Sequence, residues 1–557
     1  MEIPLLNKIK IESISYKSLF IVIVLCYIVL YGPYGLTEAD DGFITGLSWR
    51  IFNGATIYKD FIYVRPPLSP LFHTLPMYIL PREYIIFFER AFFFISLAIS
   101  SLFASKSLNS LFDFKAIGVD KYLLAAVGFV FSVATFAPTA WHTIDGILFG
   151  SIGIYFLISD KSKLEILFGM FLLFLSALTK QSFYLMPIAG ILYLYLSKHT
   201  RKVTITASGL LVILVIAFGI ILENLGALNE FIIQTSSSSS LKEAYTAGVY
   251  KYLHSDLIFI FVSIVAWRVI KYFGELNRYT IGLNLLPYLY TFFIFTYPLA
   301  FYINRIFFKQ ISYKEFLGIQ FRDEFATITF LLVFVYIIFN FKNLIRPWAL
   351  VLLLFLSWSS SISWAHTSPH LFSTPIIFIF IVASNHLLNL ANIHKFLVYF
   401  LFFGFITYFL GYQKPVYCHL KNEMVFELSD VAPTLRYIKG DERIFNKLKN
   451  LDSLVKRYGN NSKVLPFMPL SNLLQGSLSP ISIDYPINCE IANKEDKVYA
   501  ELVNKKTVVF IDRYWLEIEE SIGDYNRKYG STLTYRVTKE WIKVDSTEHY
   551  YIYCGLR

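Results

Sequence analysis

Apolar residues run unbroken through stretches such as 19–30, 349–356 and 396–410, and runs of this kind recur across the first 412 positions. They are continuous, not alternating, so their period is not that of half-buried strands. About 20 such residues cross roughly 30 Å of hydrocarbon, and in lipid only helices or closed barrels satisfy every backbone group. The pattern predicts membrane helices near 17–36, 83–105, 121–140, 143–159, 164–180, 182–197, 203–223, 255–273, 280–303, 325–341, 345–363, 371–390 and 396–412.

Charge gives these spans a direction. Lys8, Lys10 and Lys17 precede the first, and Lys115, Lys121, Lys161, Lys163, Lys198, Arg201, Lys202, Arg268, Lys271, Arg278, Lys342, Arg346 and Lys395 fall on the same side of an alternating threading. By the positive-inside rule that side is cytoplasmic, the count is odd, about thirteen, and the far end of the chain is extracytoplasmic. The segment 304–325 fits least well, being outward yet carrying Arg305, Lys309, Lys314 and Arg322. Three long segments face outward: 37–82, 223–254 and 304–325. The first has helical periodicity broken by prolines and predicts short interfacial helices; the serine run 236–240 predicts a flexible loop.

From about Gln413 the pattern changes. Residues 429–457 have helical spacing, while 463–468, 507–513, 532–544 and 550–555 are rich in Val, Ile, Tyr and Phe and predict strands. The expected fold class is therefore an α-helical polytopic membrane protein, residues 1–412, with a C-terminal extracytoplasmic α/β or α+β domain, residues 413–557. No Walker loop or zinc spacing occurs in that domain, and no catalytic content is read in it.

Composition agrees. Of 557 residues 55% are hydrophobic, 18% aromatic and only 16% charged, with mean hydropathy +0.52; soluble domains carry about 25% charged residues. The net charge of +10 is spread through short loops, which argues against a nucleic-acid partner. Cys26 lies inside the first apolar run, where a small packed side chain is the simple reading. A pairing among Cys418, Cys489 and Cys554 requires an oxidising compartment. The first run is too long for a cleaved signal and lacks a small-residue cleavage site.

Four outward features carry candidate chemistry. Asp40 and Asp41 follow the first span closely; alone, such acids are solvated loop residues. Here they precede a helical stretch, Asn53-Gly54, Tyr58-Lys59-Asp60-Phe61 and Arg65-Pro66-Pro67. The prolines fix an extended turn, and Arg65 presents a guanidinium fork suited to phosphate or carboxylate. Asp145, in His142-Thr143-Ile144-Asp145, is equally readable as a helix-starting residue or as an ionisable group facing a cavity. Lys180 sits in an outward turn, against the positive-inside bias, although a snorkelling lysine is the plain alternative. His366 and His370 flank another outward turn; Pro369 interrupts the helix and no third ligand is evident, so phosphate or sugar contact, or a plain loop, outranks zinc. Carboxylates and cations gathered at one interface suit an amphiphilic substrate with an anionic head.

The motifs ADDGF…NGATIYKDFIYVRPPLSP, HTIDG and LTKQSFYLMP, with Val464-Leu465-Pro466 through Gly476, Pro480 and Asp484, resemble GT-C superfamily glycosyltransferases of the protein O-mannosyltransferase and aminoarabinose transferase group. The resemblance covers essentially the whole chain, and its motifs are moderately specific together and weak singly. It implies a polyprenyl-phosphate sugar donor, a glycan or glycolipid acceptor, a multi-pass place in the inner or plasma membrane, and an inverting displacement. Asp40 would be the general base, Asp41 its support and Asp145 part of the acidic cluster. Arg65 and Lys180 would bind the donor phosphate, and Tyr58, His366 and His370 would contact substrate. Asp41 stands where the family often has Glu, and Arg65 where it often has Lys. No motif fixes a metal, so no cofactor is certain and a divalent cation stays open. The competing readings are a polymerase or ligase using a lipid-diphosphate donor, a transporter or flippase for lipid-linked sugars, and a structural scaffold. The first lacks its usual cluster of arginines and histidines in a late loop; the second lacks repeated halves and midplane charges.

Overall fold

The computed structural model describes residues 15–133, 136–159, 162–197, 201–237, 265, 268, 272, 321–342, 344, 346–362, 369–388, 393–405, 421–527 and 529–556. The membrane half contains α1 (Tyr16–Tyr31), α2 (Phe43–Phe52), α3 (Leu68–Phe72), α4 (Ile85–Leu111), α5 (Lys121–Val133), α6 (His142–Ser159), α7 (Lys163–Ala177), α8 (Met186–Leu196), α9 (Arg201–Asn224) and α10 (Leu228–Ser237). It continues with α11 (Phe321–Asn340), α12 (Pro347–Ser361), α13 (Thr374–Leu388) and α14 (Ile393–Gly404). The expected span 280–303, nearly all of 255–273 and most of the loop 304–325 lie outside the described residues.

Three described stretches are long and apolar enough to cross a membrane: Arg82–Leu111, His142–Ser159 and Arg201–Asn224. The other apolar helices are shorter, among them Tyr16–Tyr31, Lys121–Val133 and Pro347–Ser361, so a count of thirteen full spans is not established. α9 makes the environment plain. Only Ala207 and Leu222 of its side chains are buried, while Ile213 is 63% exposed and Val212, Ile216 and Ile221 are similarly bare. Uncovered isoleucines of this kind each forgo about 1.5–3 kcal/mol in water, and lipid removes the penalty. The chain is a membrane protein.

Several spans end earlier than periodicity predicts. α1 stops at Tyr31, not 36, because Gly32 and Pro33 follow it. Where the pattern predicts α5 to reach 140, the backbone at 136–140, around Pro138, is not helical, and α7 ends at Ala177 where the pattern predicts 180. The next span opens as a 3-10 turn, Gln181–Phe183, and becomes α-helical only from Met186, with Pro187 in its first turn.

The first loop folds into α2, α3 and the 3-10 turns Leu75–Tyr78 and Arg82–Tyr84. Seven of α2's ten residues are buried, since the C-terminal region covers it. Gly42 and Gly46 make that approach: a Cβ on Gly42 would lie 2.3 Å from the Leu470 backbone nitrogen, and one on Gly46 2.8 Å from the Pro469 carbonyl. Four residues apart, they put a smooth helix face against 469–470.

The C-terminal region is mixed α/β. A ribbon pairs β1 (Phe426–Glu427) with β2 (Lys439–Gly440). A four-stranded sheet runs in the order β3 (Ser462–Leu465), β4 (Val508–Asp512), β6 (Tyr550–Leu556), β5 (Trp541–Ser546). β3 and β4 are parallel with Val464 opposite Phe510, and β6 is antiparallel to both its neighbours. The parallel pair needs a crossover, made by α16 (Ser471–Gln475) and α17 (Glu495–Asn504); α15 (Glu442–Tyr458) precedes the sheet, and α18 (Arg513–Ile522) and α19 (Thr532–Glu540) follow β4. The stretch 532–544, expected as one strand, is a helix to Glu540 and a strand after it. Ser531 caps that helix by accepting from the Thr534 N–H, and the β-rich composition does not override the cap. Residues of the membrane half enter the cores of this region: Leu36, just after α1, and Ile86 of α4 pack with Leu428 and Leu435, and Ile62 and Val64 of the first loop with Leu465 and Ile481.

Candidate functional site

The adjacent acids at the start of the first loop have different surroundings. Asp41 is buried and receives Arg90 Nη2 at 2.9 Å and Nε at 3.3 Å, with the Thr37 N–H donating at 2.7 Å. Arg90, on α4, also donates to the carbonyls of Gly32 and Gly35, which fixes the turn from α1. Asp40 is half-buried and has no cationic partner among the described residues. Burial, and then the charge of Asp41, raise its carboxyl from the ordinary range to about 6. Poised near neutrality and unpaired, it can exchange a proton.

Asp145, in the first turn of α6, meets a residue the motifs did not single out. His73 Nε2 lies 3.2 Å from both Asp145 oxygens, and its Nδ1 lies 2.5 Å from Glu89 Oε2. All three side chains are buried. Burial alone would lower the His73 pKa; Glu89 and Asp145 outweigh it and hold the imidazole well above its ordinary value. An imidazolium thus bridges two carboxylates. On its other side His73 walls an apolar groove of about 260 Å³ lined by Phe72, Leu75, Ile79, Phe88 and Phe92.

Arg65 follows a strand-like stretch and precedes Pro66 and Pro67. Its two terminal nitrogens each lie 2.5 Å from an oxygen of Glu490, and its guanidinium sits 5.0 Å over the Phe43 ring. Tyr58, with a left-handed backbone at φ 68°, donates its hydroxyl to the Arg65 carbonyl at 2.6 Å, so its polar end holds the Arg65 turn. Lys180 is buried and donates to Thr143 Oγ1 at 3.0 Å. Burial and the Arg65 charge push its ammonium well below the ordinary range, with Glu490 opposing. Tyr63, whose buried hydroxyl has no hydrogen-bond partner, lies within electrostatic reach of Arg65, Glu490 and Asp145. Tyr485 lies within electrostatic reach of Asp40, Glu490 and Arg65. Phe43, Tyr63, Tyr485 and Glu490 line one small cavity.

Asp40, Arg65, Asp145 and Lys180 therefore belong to one neighbourhood, joined through Tyr63 and Tyr485. Asp41 stands behind it, held by Arg90. His370 is in the 3-10 turn Pro369–Phe372, which packs on α5 and α12; His366 lies outside the described residues, as does Cys418, while Cys26 and Cys554 form no disulfide.

Two further clusters bind the C-terminal region to this loop. Arg50 of α2 donates to Asp484 at 2.6 and 2.8 Å, and Lys463 reaches the same carboxylate at 3.2 Å. Against the effect of burial, these cations pull the Asp484 carboxyl down to about 2. Lys447 bridges Glu38 and Asp512. Among the described residues no group of three or more His, Cys, Asp or Glu is arranged to hold a metal ion.

Glu89 and Arg90 had a sequence signal, being ionisable residues inside an apolar run. His73 had only its place in the loop. Glu490 and Tyr485 had none.

No protein-family model matches the chain, and no curated protein matches it. Two solved structures do. This chain is similar to ArnT. The structure of ArnT from Cupriavidus metallidurans bound to undecaprenyl phosphate aligns with 96% of this chain and 97% of its own, at 10% identity and TM-score 0.42. The apo structure of the same ArnT aligns over the same shares at TM-score 0.39.

Proposed function

We propose that this protein transfers a monosaccharide from a polyprenyl-phosphate donor to an extracytoplasmic acceptor, a lipid-linked or cell-surface glycan, with inversion at the anomeric carbon. One observation carries the reading: an unpaired carboxylate raised to about 6, Asp40, and a half-buried cation, Arg65, both lie within electrostatic reach of Tyr485, and Lys180 lies within reach of Arg65. A displacement at a sugar carbon needs a base on one side of the reacting centre and charge stabilisation on the other.

In this mechanism Asp40 accepts the proton of the acceptor hydroxyl as its oxygen bonds to the anomeric carbon. The bond from that carbon to the phosphate oxygen breaks, and Arg65 and Lys180 receive the charge left on the polyprenyl phosphate. Arg65 offers a two-pronged geometry for phosphate oxygens. Asp41, fixed by Arg90, sets the turn that presents Asp40. Asp145, held by His73, orients donor or acceptor hydroxyls. Tyr58 holds the Arg65 turn, and His366 and His370 complete the substrate contacts. The apolar groove beside His73 suits an isoprenoid chain entering from lipid. An odd number of spans would put the C-terminal region on the same outer side, as a domain of residues 413–557 roofing the site.

Lipid-linked intermediates in a strain lacking the gene test this reading. It predicts that a polyprenyl-phosphate monosaccharide accumulates while one glycan loses that sugar. Unchanged pools, or accumulation of lipid-diphosphate oligosaccharides alone, would contradict it.

A further inference from the structure

Arg65 is the cation best shaped to grip a phosphate, yet it is occupied by a carboxylate of the chain itself. Glu490 meets both terminal nitrogens of Arg65 at 2.5 Å, the planar two-bond arrangement that a phosphate would also take. The neighbours of this carboxylate are those a bound phosphate would want. Lys180 and the partnerless Tyr63 hydroxyl both lie within its electrostatic reach, and it lines the cavity shared by Phe43 and Tyr485.

The segment that carries Glu490 is irregular. Residues 488–490 form a turn between the β3–β4 crossover helices, and Ala492 and Asn493 follow with left-handed backbone at φ 53° and 58°. Asparagine tolerates that conformation, but alanine does not favour it. Two such residues in succession next to a charge pair show a segment held in place by its contacts and not by its own backbone preference.

We infer that Glu490 is a stand-in for the donor phosphate: it occupies the Arg65 fork in the empty enzyme, yields it to the donor, and competes for it again when the product must leave. The inference rests on the proposed donor class. It gives Glu490 a specific part in turnover. A sugar phosphodiester carries a single negative charge, whereas a phosphate monoester carries about −1.5 to −2 near pH 7. Product is therefore the tighter ligand for Arg65 and Lys180, and a returning carboxylate shortens its stay. Glu490 is a positioning residue in this scheme, touching Arg65 and not the reacting atoms.

The full-length protein in nanodiscs is titrated with farnesyl phosphate, a soluble polyprenyl phosphate, and backbone hydrogen exchange is followed over 485–494. Glu490→Gln removes the competing charge and keeps the shape. The expected result is farnesyl phosphate binding about tenfold tighter than wild type, the scale of one charge-assisted pair, with slower turnover relieved by dilution of product. In wild type, ligand should also raise exchange in 485–494 as Glu490 is released; Glu490→Asp should fall between the two. Weaker binding in Glu490→Gln, or a segment 485–494 that ligand leaves unchanged, would overturn the inference and make Glu490 a mere anchor for Arg65. If wild type, Glu490→Gln and Glu490→Ala all fail to bind farnesyl phosphate while remaining folded, the donor reading itself falls.

Discussion

Arg90 grips Asp41 from α4 at 2.9 and 3.3 Å, and both side chains are buried. The pair lets one of two adjacent aspartates serve as structure while the other stays reactive. Removing one member of a buried pair leaves the other uncompensated, at about 3–5 kcal/mol. Arg90→Met should lower the melting temperature sharply in detergent, and Arg90→Lys should rescue little, because the ammonium cannot reproduce the fork. Arg90→Met with Asp41→Leu should recover part of the loss. A variant pair no more stable than Arg90→Met alone would show that the two are not coupled.

Asp40 should show opposite effects on activity and stability. Its carboxyl is raised to about 6, so the folded state holds a proton that the unfolded chain has released above about 4. Stability therefore falls as pH rises from about 4 to 6 and is level beyond. Asp40→Asn should raise the melting temperature at pH 7.5 and leave it unchanged near pH 4. Turnover by wild type should rise with pH through about 6, as the base deprotonates. A stabilised but inactive Asp40→Asn fits; an active one removes Asp40 as base.

The His73 bridge has the reverse sign. Its pKa is raised by Glu89 and Asp145, so its contribution is complete below the unfolded value, about 6.5. It declines above that pH and is lost once the folded value is passed. The melting-temperature gap between wild type and His73→Asn should be widest at pH 6 and narrow at pH 9. Turnover should fall in His73→Asn as well, since Asp145 loses the partner that orients it. A gap that widens with alkalinity would mean that His73 is neutral in the fold.

Docking of the C-terminal region depends on Arg50, Asp484 and the smooth face of α2. Asp484→Asn leaves Arg50 and Lys463 facing each other in a buried place, and Gly46→Leu forces 469–470 away. Either change should raise backbone hydrogen exchange in α2 and in 469–484 and lower activity, while the sheet keeps its fold. With its carboxyl at about 2, Asp484 contributes above the ordinary carboxylate range, and that contribution is lost as pH falls towards 2.

Much of this architecture was legible because lipid imposes a crude, long-range rule on sequence. Runs such as 83–105 and 203–223 name their helices by length alone; Asp40, Asp145 and Lys180 stood out as ionisable groups near the ends of such runs, and Arg65 as a cation before a proline pair in the outward loop. Helix ends were read less well: Gly32-Pro33 and Pro187 stop or start helices inside apolar stretches whose hydropathy does not change there. The stretch 532–544 misled because β-branched and aromatic residues fill both a short capped helix and a strand. The pairings were not legible at all. Glu490 reaches Arg65 across more than four hundred positions, and His73 joins Glu89 to Asp145 only because α3, α4 and α6 meet. Such contacts have no local period to betray them.

The most direct measurement of the central claim is sugar transfer by the purified protein in nanodiscs, given a polyprenyl-phosphate monosaccharide labelled in the sugar and an extract of membrane glycolipids. The account predicts that label passes to a glycolipid with inverted anomeric configuration, that polyprenyl phosphate appears in equal amount, and that Asp40→Asn abolishes both. Label that stays on the polyprenyl phosphate when every acceptor extract is offered, or transfer by Asp40→Asn at the wild-type rate, would contradict it.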